Sequence, residues 1–350
     1  MNTQPTPFAK ALARKNNARL NQTINFKQAH SLGLALGAGL LGGLCVLASS
    51  ATLAEATPKH KPNVQLNLAL GAEHDSNVSL KELDQATNES DWATTINAGL
   101  KGQWQASPTL KLRAGLNHSG KYYQTFDEFN LDISAANLEA SYDFAHLTLG
   151  ATAHYAYARL DQKAFMQLTQ TEIFASKLIN HTVFVRAKTA RQQKQFADLD
   201  ARNAHNQAWG ADAFWFLNAG RSFLHAGVDT DSETATDSQF NYDGLNLRLG
   251  YTTEVAIAGV ENTLKLGMRY VGRDYAGHVT LNETTNALGQ TETTQGRRAD
   301  QQYHYEASWT LPLGDTLSLA AKVHLADYQS NLASADYRET LTSLQLQSHF

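Results

Sequence analysis

The chain has 350 residues, a formal net charge of −4 and a single cysteine, Cys45. Its mean hydropathy is −0.39, and no long apolar run follows residue 56, which excludes membrane-spanning helices in that part of the chain. No basic block follows residue 56 either, so we expect no nucleic-acid partner. Because that part has no cysteine, it can form no disulfide and carries no thiol chemistry.

Residues 1–56 have the pattern of a signal peptide. An apolar, glycine-rich stretch over 32–47 precedes a small-residue cleavage site at Ala54-Glu55-Ala56. The basic residues before that stretch are Lys10, Arg14, Lys15, Arg19 and Lys27. The alternative is an uncleaved anchor, which would need about 20 apolar residues, and this stretch is marginal for that length. We predict a signal peptide over 1–56, a periplasmic tail over 57–63 and one domain over 64–350.

Apolar and polar residues alternate along that domain with a period of two, which is typical of β-strands with one apolar face. Trp92, Ile96, Leu100 and Trp104 share one phase of such a segment. The segment over 131–144 shifts its phase near Asn137, which predicts a β-bulge there. The fourteen predicted strands span 64–74, 92–104, 109–123, 131–144, 147–160, 166–179, 181–194, 206–217, 221–232, 240–253, 262–276, 299–311, 316–329 and 337–350.

A membrane protein without apolar helices satisfies its backbone only as a closed barrel. The sequence therefore predicts an all-β fold, a transmembrane antiparallel β-barrel of about 14 strands in the outer membrane of a Gram-negative cell, surrounded by outer-membrane lipid. An even strand number places both ends on the periplasmic side, and the longer polar connections over 75–91, 195–205 and 277–298 lie outside. The alternative is a soluble β-sandwich or lectin-like domain, which would not need fourteen strands of this length.

The last strand ends on an aromatic residue in phase with its apolar face. Leu344, Leu346 and Phe350 share that phase. A strand of this kind is typical of the closing strand of an outer-membrane barrel, so we predict that these three residues form an insertion signal for the barrel-assembly machinery.

If the apolar phase faces lipid, the other phase lines the lumen. Fewer acidic residues than basic ones fall on that phase, the acidic ones being Glu73, Asp212, Asp229 and Glu306. The basic candidates are Lys101, Lys111, Arg113, Lys121, Arg186, Lys188, Arg248, Lys265, Arg269, Arg273 and Lys322. Such an excess predicts a lumen that attracts anions. Pairing of these charges with the acidic residues is an equally good interpretation, and a one-residue slip in register would reverse the facing.

The outer connections lean acidic, and the first of them carries Asp75, Glu82, Asp84, Glu89 and Asp91. Motifs for chemistry are missing: the sequence has no H-E-x-x-H or C-x-x-C metal spacing, no P-loop and no G-x-S-x-G elbow. We therefore expect no metal, no cofactor and no enzymatic activity.

Short stretches resemble a known family. They are Asp75-Ser76-Asn77-Val78, Arg273-Asp274-Tyr275, Tyr328-Gln329-Ser330-Asn331, Asp336-Tyr337 and the ending from Leu344 to Phe350. They resemble the C-terminal barrel of the surface lipoprotein assembly modifiers, a fourteen-stranded outer-membrane barrel. Members of that family usually carry an N-terminal periplasmic helical repeat domain. The chain has only the short tail before its first strand, which would leave client capture to a separate protein.

Three functional hypotheses remain open at this level. The resemblance implies a barrel that assists export or surface display of a partner protein or lipoprotein, which is the leading hypothesis. The lumen charge suggests instead a passive or anion-preferring diffusion channel. The acidic outer connections suggest a surface interaction protein.

Overall fold

The fourteen predicted strands form one closed antiparallel barrel in the computed structural model, which describes residues 62–285 and 291–350. The predicted signal peptide over 1–56 lies outside the described residues. Each strand pairs with its neighbours in the sequence, and the first strand pairs with the last. The strands are β1 (Asn63–Asp75), β2 (Asp91–Gln105), β3 (Leu110–Tyr123), β4 (Leu131–Asp143), β5 (Thr148–Leu160), β6 (Lys163–Ile179), β7 (Val183–Phe196), β8 (Ala204–Leu217), β9 (Ser222–Ala235), β10 (Tyr242–Ile257), β11 (Val260–Thr285), β12 (Thr291–Pro312), β13 (Leu317–Ser330) and β14 (Tyr337–His349).

The barrel wall has an apolar outer face and a mostly polar inner face, because side chains alternate across each strand. On β2 the exposed side chains are those of the predicted apolar phase, Trp92, Ile96, Leu100 and Trp104. Aromatic side chains mark two levels of the outer face, as in barrels that cross a lipid bilayer. Near the outer ends of the strands lie Trp92, Tyr122, Tyr157, Trp209, Tyr270 and Tyr303, and near the periplasmic ends lie Trp104, Tyr142, Trp215, Tyr251, Trp309 and Phe350.

The seam of the barrel is a long antiparallel ladder between β1 and β14. It runs from the pair Asn67 and His349 to the pair Asp75 and Leu341. Phe350 extends it, because its backbone N–H donates to the carbonyl of Leu66 at 2.9 Å and its carbonyl accepts from the N–H of Leu66 at 3.1 Å. This seam removes the open edges that a lipid-embedded sheet cannot tolerate.

Connections at the two ends differ in length. The periplasmic end has tight turns, such as Ala258-Gly259 between β10 and β11, where both residues have positive φ. The outer end carries longer loops, of which the first, residues 76–90, is here called L1. L1 contains a small hairpin in which Ser79–Leu80 pairs with Gln85–Ala86. Single-turn 3-10 helices occur at Lys81–Leu83, Asp127–Phe129, Asp200–Arg202, Asn218–Gly220, Ser238–Phe240 and Ala333–Ala335.

The predicted long loop over 277–298 is wrong, because most of it is β-structure. β11 and β12 pair with each other beyond the barrel rim, up to the pair Thr285 and Thr291. Their other neighbours end earlier, since β10 pairs with β11 only as far as Tyr275 and β13 pairs with β12 only from Asp300. The two strands therefore project from the rim as a two-stranded hairpin. The abundance of threonine, a β-branched residue, favours strand over loop here.

The predicted bulge at Asn137 is also wrong. β4 keeps a regular register with both neighbours through Asn137. The only irregularity in this part of the described wall lies between β5 and β6, where Phe165 has no partner in the ladder. The apparent change of phase in β4 has another cause: Ile133 is apolar yet faces inward, because it packs against a residue of L1, Leu80. Within the described residues, no helix is long and apolar enough to cross a membrane.

Candidate functional site: the lumen and its first loop

The eleven basic candidates all lie on the inward phase of the barrel strands. A side chain is assigned to the lumen when its neighbours in the sequence are exposed on the apolar outer face. Arg113 and Arg186, for example, are buried, whereas the residues that follow them are exposed on the outer face. The same phase places Lys101, Lys111, Lys121, Lys188, Arg248, Lys265, Arg269, Arg273 and Lys322 on the inner wall. The geometry places these residues in the lumen; their use in selecting solutes stays a prediction.

Carboxylates from neighbouring strands neutralise much of this basic charge. Lys121 Nζ lies 2.8 Å from Glu73 and 3.0 Å from Asp75, and Lys322 lies 2.7 Å from Glu306. Two further inward carboxylates, Glu139 and Glu172, pair with Arg113 and Arg186. The sequence reading missed these two partners, because which strands face each other residue by residue depends on register.

A four-membered charge network lies on the wall formed by β7 to β10. Lys188 Nζ contacts Asp212 at 3.0 Å and Asp229 at 3.2 Å. Arg248 contacts the same two carboxylates, at 2.9 Å for Asp212. His225 Nε2 lies 3.1 Å from Asp212. Two cations and two carboxylates therefore balance on one wall, and burial of such groups is tolerated only because each has opposite charges beside it.

Other inward cations contact polar or aromatic groups. Arg269 Nε donates to Asn246 at 3.2 Å, and the Arg273 guanidinium lies 4.3 Å from the ring centre of Tyr242. The lumen wall therefore carries both basic and acidic side chains. Its excess of basic charge is smaller than the sequence predicts.

An aromatic cluster covers the inner wall at the periplasmic ends of β7 to β9. Phe214 lies 6.1 Å from both Phe184 and Phe223 by ring centres, and it stacks on His225 at 4.4 Å. Phe216 extends the cluster to Phe223 at 6.3 Å. Inward phenylalanines at one end of a polar lumen narrow it there. The alternation of residues along these strands already indicates that the phenylalanines face inward, although the predicted lumen residues include only charged ones.

L1 does not extend outward from the barrel but folds into its outer mouth. The base of the loop is held by backbone bonds, from Val78 N–H to Glu89 O and from Thr87 N–H to Val78 O, both 2.9 Å. Asn77 fixes the turn from both sides, donating to Arg338 O at 3.0 Å and accepting from the Asn88 N–H at 2.8 Å. These bonds direct the chain between 79 and 86 across the mouth.

One side of L1 packs on an apolar patch of the inner wall. Leu80 belongs to a buried cluster contributed by β4 to β7, and Leu83 packs against the same cluster. The members from the wall are Ile133, Ala156, Ala158, Phe165, Met166, Leu168 and Phe196. Apolar residues on the inward phase near the rim are explained by this contact, because they would otherwise face water in the lumen.

The tip of L1 is held by two arginines from different parts of the rim. Arg202, in the loop over 197–203, donates to Glu82 O at 2.7 Å and to Asp84 Oδ2 at 2.8 Å. Arg298, on β12, donates to Asp84 Oδ1 at 2.7 Å and also pairs with Asp300 at 2.7 Å. We call Asp84, Arg202 and Arg298 the latch.

Burial alone would raise the pKa of Asp84. Hydrogen bonds and charge from Arg298 and Arg202 outweigh that effect, so the pKa of Asp84 is lowered below its ordinary value. Asp84 is therefore ionised and charge-paired at neutral pH, and its αL backbone conformation, with φ of 54°, marks the tight turn of the tip.

A third contact joins L1 to β13 and β14. Ser79 Oγ donates to Glu339 at 2.9 Å, and Lys81 Nζ lies 3.8 Å from the other Glu339 oxygen. The Lys81 ammonium also lies 4.7 Å from the ring centre of Tyr328. Burial lowers the pKa of Lys81, and the Glu339 carboxylate offsets part of that shift.

Three of the five carboxylates expected to make this outer loop an acidic surface are not free, although Glu89 is exposed. Asp75 and Asp91 are buried, and Asp84 is held by the latch. Asp75 accepts hydrogen bonds from the Asn77 N–H at 3.0 Å and from Tyr123 Oη at 2.6 Å. Carboxylates next to strand ends serve here to fold L1 inward. In residues 62–285 and 291–350, no group of three or more His, Cys, Asp or Glu is arranged to hold a metal ion.

The barrel is similar in shape to several solved outer-membrane proteins. OmpT of Vibrio cholerae, in its trimer form, is 8% identical with a TM-score of 0.48, over 83% of this chain and 99% of that one. An anion-selective porin from Comamonas acidovorans is 10% identical with a TM-score of 0.46, over 83% and 100% of the two chains. CdiB from Acinetobacter baumannii is 10% identical with a TM-score of 0.41, over 81% of this chain and 60% of that one.

At these identities and TM-scores the likenesses carry no weight for function. No family model and no curated relative matches the chain, so the resemblance to the surface lipoprotein assembly modifiers stays a prediction. A closed fourteen-stranded barrel with an apolar outer belt is nevertheless the architecture of Gram-negative outer-membrane proteins.

Proposed function

We propose that this chain is a transport barrel of the outer membrane whose outer mouth is held closed by L1 and opens when L1 is displaced. The observation that carries the proposal is the contact of one loop with opposite walls. Leu80 packs on β4 to β7, Asp84 pairs with Arg298 of β12, and Ser79 bonds to Glu339 of β14. A loop that bridges the mouth in this way obstructs passage.

Displacement of L1 does not require the barrel to unfold. L1 lies outside the barrel ladder and forms only its own small two-stranded hairpin. Its contacts with the wall are the apolar packing of Val78, Leu80, Leu83 and Ala86 and a few polar bonds, and it shares no strand ladder with the barrel. Its local opening therefore costs less free energy than loss of any barrel strand. Lids and gates of other proteins are drawn from such segments.

The lumen below L1 suits a polar cargo. Paired charges such as Lys121 with Glu73, and Lys322 with Glu306, keep the wall hydrophilic without a large net field. We therefore expect weak rather than strong anion preference in the open state, since field strength follows the unbalanced charge.

Planar-bilayer recording tests the proposal. In the test variant, residues 79–86 are replaced by a short Gly-Ser linker, which retains the base of L1 at Val78 and Thr87. In the control variant, residues 281–294 are removed, which joins the paired residues Thr280 and Gln295, shortens the projecting hairpin and leaves both L1 and Arg298 in place. We expect long closed periods for the wild type and the control, and sustained conductance for the L1 variant. Equal conductance of all three would contradict closure by L1.

Assistance in the export or surface display of a partner protein is a second candidate. The hairpin of β11 and β12 favours it, because this hairpin extends beyond the rim with backbone edges that no barrel strand covers. Such edges can pair with an extended segment of an emerging chain. The test is the surface level of a secreted protein or lipoprotein encoded beside this gene. Deletion of the gene should lower that level, and an unchanged level would contradict the export role.

A further inference from the structure

A furrow of about 1000 Å3 runs obliquely along the outer wall from β2 to β8. Side chains of the outward phase line it. Trp104, Leu138 and Ile173 are 42%, 63% and 64% exposed, whereas their inward neighbours Glu139 and Glu172 contact basic residues of the lumen. The furrow is therefore on the lipid-facing side of the barrel.

The furrow exists because bulky and small residues are unevenly distributed on this wall. In the ladder Leu112 pairs with Ala140, Ala140 with Ala151, and Ala151 with Ile173. The two alanines therefore lie between two bulky side chains and leave space above the sheet. Its volume is at the upper end of the range for pockets that bind small molecules. Its lining is mostly apolar, which suits a hydrocarbon chain.

One end of the furrow carries an arginine on the lipid-facing side. Arg191 is exposed, and its Nε donates to Gln207 at 3.0 Å. Among the described residues, no carboxylate lies within ion-pair distance of Arg191. A lipid-facing charge is unfavourable in the hydrocarbon but is tolerated near the headgroups. An anionic headgroup would supply the missing opposite charge, and a guanidinium binds phosphate with two parallel hydrogen bonds.

The height of Arg191 assigns it to the outer leaflet. It lies eight residues above Val183, the periplasmic start of β7. With a rise of about 3.3 Å per residue and a tilt of about 40°, that is about 20 Å, near the upper border of an apolar band about 25 Å tall. Above it the outward side chains are polar and exposed, including Thr169, Gln193 and His205. These groups suit a headgroup with sugar hydroxyls.

We propose that this furrow and Arg191 bind a phosphorylated glycolipid of the outer leaflet, with an acyl chain in the furrow and a phosphate on Arg191. The outer-leaflet position and the unpaired positive charge select this occupant over a neutral lipid. The site is separate from L1 and is independent of the proposed gating function.

Native mass spectrometry of the refolded, lipid-free barrel tests the site. The probes are diphosphoryl lipid A, its monophosphoryl form and phosphatidylglycerol. The test variant is Arg191→Gln. The matched control is Arg159→Gln, because Arg159 is also exposed on the outer wall but bonds to the Gln162 carbonyl, away from the furrow. A third variant, Ala151→Phe, fills the furrow without changing charge. Heat-modified migration on gels verifies that each variant is folded.

We expect the wild type and Arg159→Gln to bind diphosphoryl lipid A more tightly than the other two probes. Arg191→Gln should weaken that binding about tenfold or more and remove the preference for the second phosphate. Ala151→Phe should weaken binding of all lipid A forms. Equal binding by wild type and Arg191→Gln would overturn the proposal, as would equal affinity of the wild type for phosphatidylglycerol.

Discussion

Replacement of Asp84 by asparagine should release L1 from the mouth of the barrel. Asp84 is the residue of L1 that both latch arginines contact, at 2.8 Å for Arg202 and 2.7 Å for Arg298. Asparagine has nearly the same shape, so the apolar packing of Leu80 stays in place. The substitution therefore isolates the charge pairing of the tip.

The magnitude follows from the two bonds that are weakened. A hydrogen bond to a charged partner contributes about 1.5–3 kcal/mol. Arg298 keeps its ion pair with Asp300 at 2.7 Å, so it loses only one of its two charged partners. The side-chain oxygen of the asparagine still accepts one hydrogen bond. We expect a total loss of about 2–3 kcal/mol in the free energy of L1 closure. This corresponds to a fall of about 30- to 150-fold in the ratio of closed to open L1.

Labelling of a cysteine beneath L1 measures this ratio. The described residues contain no cysteine, so Ser343→Cys provides a single thiol on the inner face of β14. A membrane-impermeant maleimide added outside should label it slowly in the wild-type background and about 30- to 150-fold faster with Asp84→Asn. Asp200→Asn is the control, since Asp200 is an exposed loop carboxylate that bonds to Asn203 rather than to L1. Equal labelling rates with Asp84→Asn and Asp200→Asn would refute the latch.

Three further predictions use the same preparation. Because the pKa of Asp84 is lowered, its contribution to closure persists at its ordinary value of 3.8 and is lost only as pH falls further. The ratio of the labelling rate with Asp84→Asn to the wild-type rate, which cancels the pH dependence of thiol reactivity, should therefore be constant from pH 7 to pH 5, and a fall of this ratio in that interval would contradict the pairing. Leu80→Asp should accelerate labelling strongly, because a carboxylate cannot be buried in the apolar cluster, whereas Leu80→Met should not; similar rates for the two would count against apolar anchoring. Deletion of Phe350 should reduce assembly in cells but not refolding in detergent, and normal cellular assembly would remove the predicted role of the C-terminal residue in insertion.

The strands could be predicted because the bilayer imposes a strict pattern on them. In β2 the outward phase must be apolar from Trp92 to Trp104, and in β14 the same holds for Leu344 and Leu346. Pairing between sequence neighbours then leaves little freedom in topology, since an up-and-down barrel of this kind has short connections. Fourteen strands and their facing followed from this constraint.

The charge pairs and L1 could not be predicted in the same way. Glu172 meets Arg186 only in one register, and alternation does not fix register between strands. The residues of L1 show no periodic alternation, so the sequence does not predict whether the loop folds inward or outward. A signal was present nonetheless: Leu80 and Leu83 stand in an otherwise acidic loop, and Leu168 and Phe196 are apolar on the inward phase. Apolar residues on both a loop and the lumen wall indicate that the two meet.

The position of L1 in the membrane-embedded barrel is the most direct test of the account. Gln85 on L1 and Asp336 on the rim line the same cavity of about 360 Å3 and are not part of the latch. Spin labels on Gln85→Cys and Asp336→Cys, measured by pulsed electron paramagnetic resonance in lipid vesicles, should give a single narrow distribution at short separation. A broad distribution at long separation would show that L1 leaves the mouth open and would contradict the account.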